Sequence, residues 1–412
     1  MAGIRKSLQI AEFRALLISY VINRAGDVFG ALALAIVVLA TTRSAIATAA
    51  LFLATQFLPG LVGPALVARF GAIAPGRILP ACYVVEAVVF FLLAAVCRHA
   101  AVALIVGLAL LDGTLAFGAR SVTRATTAST LMGSDLMPEG KAAFNLALAA
   151  ATVAGPVLGG AALALFGPST ALAADGVSFL VAAVLIVCTP GLRVVCGSGS
   201  VGDSRGRDVR ASLRYVARDP MLRVLVFGEG IAFIFFYLVV PVTVVYAARS
   251  LHAGSAGYAA ILASWGAGAV IGSTVHVRLA RRVGHATILL STAAVAVAYL
   301  GTGLAPSLVI ACGASVLGGI GNGTQWASVE TAVHGLVEER FRLRVSALLE
   351  SMAALAPGVG IVLGGALTTL FSPRAAYLAA GCGLLALIAL AAFSRALTAE
   401  PAGDPAPALG SA

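Results

Sequence analysis

The sequence predicts an all-α integral membrane protein of twelve transmembrane helices in two pseudo-symmetric six-helix halves. Three observations carry this expectation. The 412 residues are 60% hydrophobic and only 11% charged, with a mean hydropathy of +1.02, whereas a soluble domain carries about 25% charged residues. The apolar residues come in runs near the roughly 20-residue length that lets a helix cross about 30 Å of hydrocarbon. A stretch late in the first half also recurs late in the second.

Taken in order, the spans fall near 14–40, 45–68, 78–97, 100–119, 141–166 and 170–189, then 221–247, 255–277, 287–304, 307–330, 345–371 and 375–394. Turn chemistry separates them, as in "TTRS", "FGAIAPGR", "FGPS" and "FSPR". This divides the chain into an N-terminal half (1–189), a linker (190–220), a C-terminal half (221–395) and a disordered tail (396–412). The linker is rich in Gly, Ser, Arg and Asp. Its "GSGSVG" is a formal GxGxxG without the strand and helix that a phosphate-binding loop needs, so it reads as linker.

The net charge is +10. With an even number of spans and both termini inside, only Arg43, Arg98, Arg249 and Arg374 fall on outer loops, and Arg24 lies mid-membrane. The other basic residues lie inside or at the inner border, as the positive-inside rule requires. The positive charge is therefore topological, and no nucleic-acid partner is expected. The location implied is the inner (plasma) membrane, multi-pass, with cytoplasmic termini. The first apolar run reads as a retained span, not a cleaved leader. The six cysteines are scattered without a CxxC, as small apolar residues are. The five histidines lie near loops with no HExxH, so no metal, cofactor or enzymatic site is expected.

Residues 157–176 (VLGGAALALFGPSTALAADG) and 362–381 (VLGGALTTLFSPRAAYLAAG) are identical at 11 of 20 positions without a gap. The same offset of 205 aligns Gly113 with Gly318 and Gly118 with Gly323. A repeat over six helices gives parallel halves, with a site at their interface near mid-bilayer. Glycines at small-xxx-small spacing (Gly26/Gly30, Gly155/Gly159, Gly268/Gly272, Gly319/Gly323, Gly360/Gly364) predict close helix approach, and a second reading makes them sliding faces.

The two six-span halves, the charged linker and the "AGPVLGG" of 154–160 resemble the major facilitator superfamily. Gly155, Pro156, Gly159 and Gly160 look like the helix-packing motif of its drug/proton antiporter branch. "RAGD" with "ALAL" in span one, "AR" at 119–120, "DGVSFLVAAVL" and "RLRVSAL" are similar to its macrolide and siderophore exporters. The chain departs from the superfamily where Ala68 replaces the usual aspartate between spans two and three. Arg69, Gly71 and Arg77 keep the rest, and Arg278, Arg281 and Arg282 stand in the matching loop of the second half. The resemblance implies that spans one, four, seven and ten line a central cavity.

Those spans carry Asn23, Arg24, Asp27, Asp112, Glu229, Asn322 and Gln325. A charge at mid-bilayer costs about 2.5–3.5 kcal/mol even on insertion scales. Asp112 and Glu229 have no cation within four residues, and desolvation opposes a lone carboxylate, so they read as proton carriers. Asp27 sits one turn from Arg24 and reads as an ion pair that carries a proton only when a conformational change separates it. Asn23, Asn322 and Gln325 read as substrate-cavity residues. Phe29, Phe233, Phe235, Phe236, Tyr237, Trp265 and Trp326 are the aromatics nearby. Asp175, Glu330 and Glu350 read as interfacial or packing residues, and Glu86 stays open. An apolar chamber with few carboxylates suits bulky amphipathic or cationic compounds. The expected function is a monomeric, proton-coupled exporter of small amphipathic or hydrophobic molecules working by alternating access. The alternatives are an uptake symporter of the same fold and a passive channel or lipid scramblase.

Overall fold

The computed structural model describes residues 6–63, 73–97, 101–131, 136–193, 214–279, 285–337 and 339–393. Most of the linker (194–213), the tail from 394, Ala68, Arg69, Gly71, Arg281 and Arg282 lie outside them. So do the side chains of Arg278, Glu330 and Glu350.

Within those residues the chain is helical. The helices are α1 (Ala11–Thr42), α2 (Ala45–Gly63), α3 (Pro75–Val96) and α4 (Val102–Leu131). The run Met137–Val187 then breaks at Gly167 into α5 (137–166) and α6 (168–187). Gly167 adopts φ 78° and ψ 172°, a conformation open to glycine, and Pro168 starts the next helix. The second half holds α7 (Pro220–Arg249), α8 (Gly254–Leu279), α9 (His285–Leu304), α10 (Leu308–Leu336), α11 (Glu339–Leu370) and α12 (Pro373–Phe393).

Ten of these helices are long and apolar enough to cross a membrane. The exceptions are α5, whose apolar core is the shorter Ala154–Leu163, and α10, diluted by Asn322, Thr324 and Gln325. Large apolar side chains such as Leu165, Leu290, Val309 and Phe371 stay exposed, as a lipid-facing surface requires. Threonines inside the helices close their hydroxyls on the carbonyl four residues back, as at Thr41, Thr48, Thr114 and Thr243. These hydroxyls are then not left unpaired in the hydrocarbon.

Where the residues are described, the span boundaries expected from sequence hold to a few residues, except that α10 runs on to Leu336, α11 starts early at Glu339, and α4 continues through Arg120 to Leu131; the end expected at 68 for the second span lies outside the described residues. Arg120 is thus a helical residue inside the bundle, not the border residue that the end of the apolar run suggests.

Short connections alternate the helix directions. The linker end of the bundle holds the start of α1, the end of α6, the start of α7 and the end of α12. The far end holds residues 43–44, 167, 250–253 and 371–372.

The packing explains the repeat. A Cβ on Gly159 of α5 would lie 3.3 Å from Phe29 Cα on α1, the first helix of its own half. A Cβ on its counterpart Gly364 of α11 would collide with Leu238 O of α7, again the first helix of its half. A Cβ on the adjacent Gly160 would collide with Ala259 of α8, and one on its counterpart Gly365 with Ala49 of α2. The two glycines of VLGG therefore split their tasks. One closes each half on itself, and the other forms the seam between halves. Because lipid gives helices no hydrophobic reason to associate, such close approach supplies the cohesion.

The α8–α10 crossing uses the same device. Gly268 and Gly272 meet the carbonyls of Val316 and Ile320, Gly319 and Gly323 meet those of Trp265 and Ala269, and Thr324 Oγ1 donates to Gly272 O at 3.1 Å. At the far end the Arg249 guanidinium donates to the carbonyl of Arg43 and adds a polar tie across the halves.

Gly364→Val is therefore expected to lower the thermal midpoint in detergent, by an overpacking cost of about 1–3 kcal/mol. Gly313→Ala, where an added Cβ meets nothing within 4 Å, is expected to leave it unchanged. Equal midpoints for the two variants would contradict this packing account.

Candidate functional site

The charged part of the site begins on α1. Asp27 lies 3.5 Å from Arg24, one turn earlier on the same helix. It also receives a hydrogen bond from the Arg120 guanidinium of α4, 93 positions away in sequence. The side chain of Arg24 is 37% exposed and that of Asp27 12%, so the pair faces an internal water-sized space, not lipid.

Two turns before Arg120, Asp112 is buried with Oδ1 unpartnered. Behind this face Glu86 of α3 is fully buried and neither of its oxygens has a partner. Asp175 of α6 is buried against the Cα atoms of Gly26 and Gly30. A Cβ at either position would come within 2.2 or 2.8 Å of its carboxylate, and Ser178 donates to Asp175 Oδ1 at 3.1 Å. Its packing role holds, but it lies in the core and not at an interface. Four carboxyl groups and two guanidiniums thus share the interior of the first half.

Arg24, Asp27, Asp112 and Arg120 line a cavity of about 360 Å³ together with Thr55, Gln56 and Pro59 of α2 and Tyr237, Val240, Tyr258 and Leu262 of the second half. The α2 wall is a π-helical turn, Leu53–Phe57, which brings the Thr55 carbonyl to within 2.8 Å of where a Cβ on Gly113 would stand. Single π turns inside α-helices recur at functional sites.

Tyr237, Val240, Tyr258 and Leu262 also border a second cavity of about 410 Å³ inside the second half. The two are lobes of one chamber on the seam between halves. The second lobe is aromatic: Phe233, Phe236, Tyr237, Tyr258, Trp265, Tyr299, Trp326 and Tyr377 line it, with Thr243, Ser315, Asn322 and Gln325 as its polar groups. Trp265 stacks on Tyr299 with centroids 5.6 Å apart, and Phe233 tilts onto Trp326 at 5.5 Å. Tyr377 OH pairs with Thr243 Oγ1 at 2.9 Å. Among the described residues, no charged side chain lines this lobe.

Asp27, Arg24 and Asp112 thus meet in the charged lobe, and Asn322 and Gln325 in the aromatic one. Two residues differ from expectation. Asn23 lines neither lobe. It is 1% exposed, with both amide atoms unpartnered inside the helix packing. Glu229 also stands outside the chamber, in an adjoining pocket of about 220 Å³, where Gln325 Nε2 donates to its carboxylate. Pro156 and Gly155 are buried in α5, and Gly159 and Gly160 form the packing contacts described above. Phe29 packs on Gly159 and Phe235 on Gly383, so neither is a chamber residue.

Arg120, Tyr258, Tyr299 and Tyr377 belong to the site and were not singled out by sequence. A signal existed for each. Arg120 follows Asp112 by eight residues on one helical face, and each tyrosine interrupts an apolar span.

Residues 225–410 match the sequence profile of the Major Facilitator Superfamily. No curated protein sequence matches the chain. The nucleoside transporter NupG superposes with a TM-score of 0.68 at 11% identity, covering 92% of this chain and 98% of that one. A bacterial homologue of the lysosomal transporter Spinster, in an inward-facing occupied conformation, gives 0.68 at 14%, covering 93% and 96%. A bacterial homologue of the iron transporter ferroportin, inward-facing, gives 0.67 at 15%, covering 92% and 99%. The fold is the major facilitator fold over essentially the whole chain.

Arg120→Gln strands Asp27 beside the more exposed Arg24 alone. It is expected to destabilise the purified protein by up to about 3 kcal/mol, more than Arg24→Gln does. Adding Asp27→Asn to Arg120→Gln is expected to recover part of the loss. A thermal midpoint series with the opposite ranking, or with no recovery, would remove Arg120 as the principal partner.

Proposed function

We propose that this chain is a member of the Major Facilitator Superfamily and a secondary active transporter that exports small amphipathic organic compounds in exchange for protons. It lies in the inner membrane as a monomer, with both termini in the cytoplasm. The observation that carries this reading is the two-lobed chamber on the seam between the halves: carboxylates and guanidiniums on one side, a large aromatic cage on the other. A mostly apolar cavity with a few convergent polar groups is what a ligand of this class needs. A sugar would find too few hydrogen-bond partners in the aromatic lobe.

Alternating access follows from the seams. At the far end the halves meet through Gly160 with Ala259, Gly365 with Ala49, and Arg249 with the Arg43 carbonyl. Rocking about these contacts exposes the chamber to one side at a time. Proton coupling rests on Asp112, Asp27 and Glu229. Asp112 faces the chamber without a directly bonded cation. Asp27 is released to take a proton only when the helices carrying Arg24 and Arg120 shift against it. Outward direction is supported by the antiporter-like AGPVLGG of α5.

The similar structures carry different cargoes by their own names, a nucleoside in one and iron in another, so the cargo has to be read from the chamber.

In inverted vesicles with an imposed pH gradient, a panel of aromatic dyes and antibiotics is expected to show gradient-dependent uptake of at least one compound. Asp112→Asn is expected to abolish the uphill component while substrate still binds. Movement in the same direction as protons would indicate symport, and movement indifferent to the gradient would indicate a passive pathway.

A further inference from the structure

Gln325 of α10 lies between two spaces. It lines the aromatic lobe and also the pocket that holds Glu229, and among the described residues it is the one common to both linings. The residue is 2% exposed. Its Nε2 donates to the Glu229 carboxylate, and its Oε1 is buried with no partner. One oxygen of Glu229 is likewise unpartnered.

These facts bear on what the aromatic lobe can recognise. The two ends of a primary amide have nearly the same size, so a half-turn exchanges a donor for an acceptor without repacking. A carboxylate only accepts, whereas a carboxylic acid also donates. The protonation of Glu229 therefore decides which end of the Gln325 amide it holds, and so which end is left over.

Few other charges compete for Glu229. Arg223, on α7 itself, is the other charged residue of that pocket. Thr292 is the polar group from α9, and α12 presents apolar side chains. The next residue, Gly230, packs against Met352 of α11.

We propose that Gln325 is a coupling residue that makes the aromatic lobe select planar aromatic compounds bearing an N–H donor, and that it withdraws this selectivity when Glu229 takes up a proton. With Glu229 ionised, the amide gives its N–H to the carboxylate and its carbonyl to the substrate. When Glu229 takes a proton from water, the acid O–H donates to the amide carbonyl and the amide turns. The lobe then faces an NH₂ group, and a substrate N–H loses its acceptor. No other bond forms or breaks. Proton and substrate thus exclude each other, as exchange requires. The inference rests on the transport reading above and adds a substrate class and the residue, Gln325, through which Glu229 acts on it.

The chain itself supplies the probe. It contains two tryptophans, and both Trp265 and Trp326 line the aromatic lobe, so their fluorescence reports its occupancy. Ethidium, a planar aromatic with two aryl amines, is titrated against purified protein in nanodiscs at pH 5.5 and pH 8.5. Quenching is expected to show about tenfold tighter binding at the higher pH, the consequence of one matched hydrogen bond. Gln325→Met is expected to bind weakly and equally at both pH values. Glu229→Gln is expected to lose the pH dependence from the other partner, so the test survives misfolding of either variant.

Wild-type binding that is the same at both pH values, no quenching at all, or a Gln325→Met variant that keeps the wild-type pH dependence would overturn the proposal. Gradient-driven transport in vesicles can persist under each of those results. Failure of the switch is therefore distinguishable from failure of the transport reading.

Discussion

Asp27 and the two guanidiniums that hold it set the constraint from which the rest of the arrangement follows. A carboxylate at this depth in a bilayer is costly unless it has a partner or water. Arg24 comes from its own helix, and Arg120 comes from α4 and ties α1 to it across the chamber wall. Because this pair faces inward, the face of α1 that carries it is committed to the chamber. The adjoining side, with Gly26 and Gly30, is free to receive Asp175 of α6. The remaining acids of the half then lie close to one another, and their charge is balanced in part by only two cations.

The second half solves a different problem with the same backbone plan. Its glycines repeat those of the first half at an offset of 205, and the counterparts do equivalent work at equivalent contacts. Its chamber wall carries rings instead of charges. The division is chemically sensible. An electrostatic lobe can respond to protons, while an aromatic lobe can hold many flat molecules at similar cost, because stacking asks little of substituent position. Gln325 stands where the aromatic lobe meets the adjoining pocket that holds the buried carboxylate of Glu229.

Much of this was legible in the sequence, and the parts that were not have physical causes. Run length marked twelve helices, of which ten among the described residues are long and apolar enough to cross a membrane, and the repeat marked glycines on equivalent helices without showing which of them face the other half. Asp27, Asp112, Asn322 and Gln325 were found because polar residues are rare in hydrocarbon. Arg120 was hidden because α4 outlasts its apolar run, and its partner is 93 residues away, beyond any local spacing. Asn23 was misread because it stands one turn before Asp27 on the same stripe of α1, and only the packing around the helix shows that the chamber does not reach it. Glu229 was placed on the chamber wall, but the rotation of α7 that seats it behind Gln325 depends on packing against α9, α10 and α12. The tyrosines of α9 and α12 were missed because helices expected at the periphery were not searched for chamber residues.

The central claim is that the far-end seam between the halves must open for transport. Ala49→Cys and Gly365→Cys, in a background without other cysteines, place two thiols across the α2–α11 contact. Gradient-driven transport in vesicles is then measured before and after oxidation and again after reduction. The account predicts that the reduced pair transports, that the disulfide abolishes transport, and that reduction restores it. Transport that continues unchanged with the disulfide fully formed would contradict it.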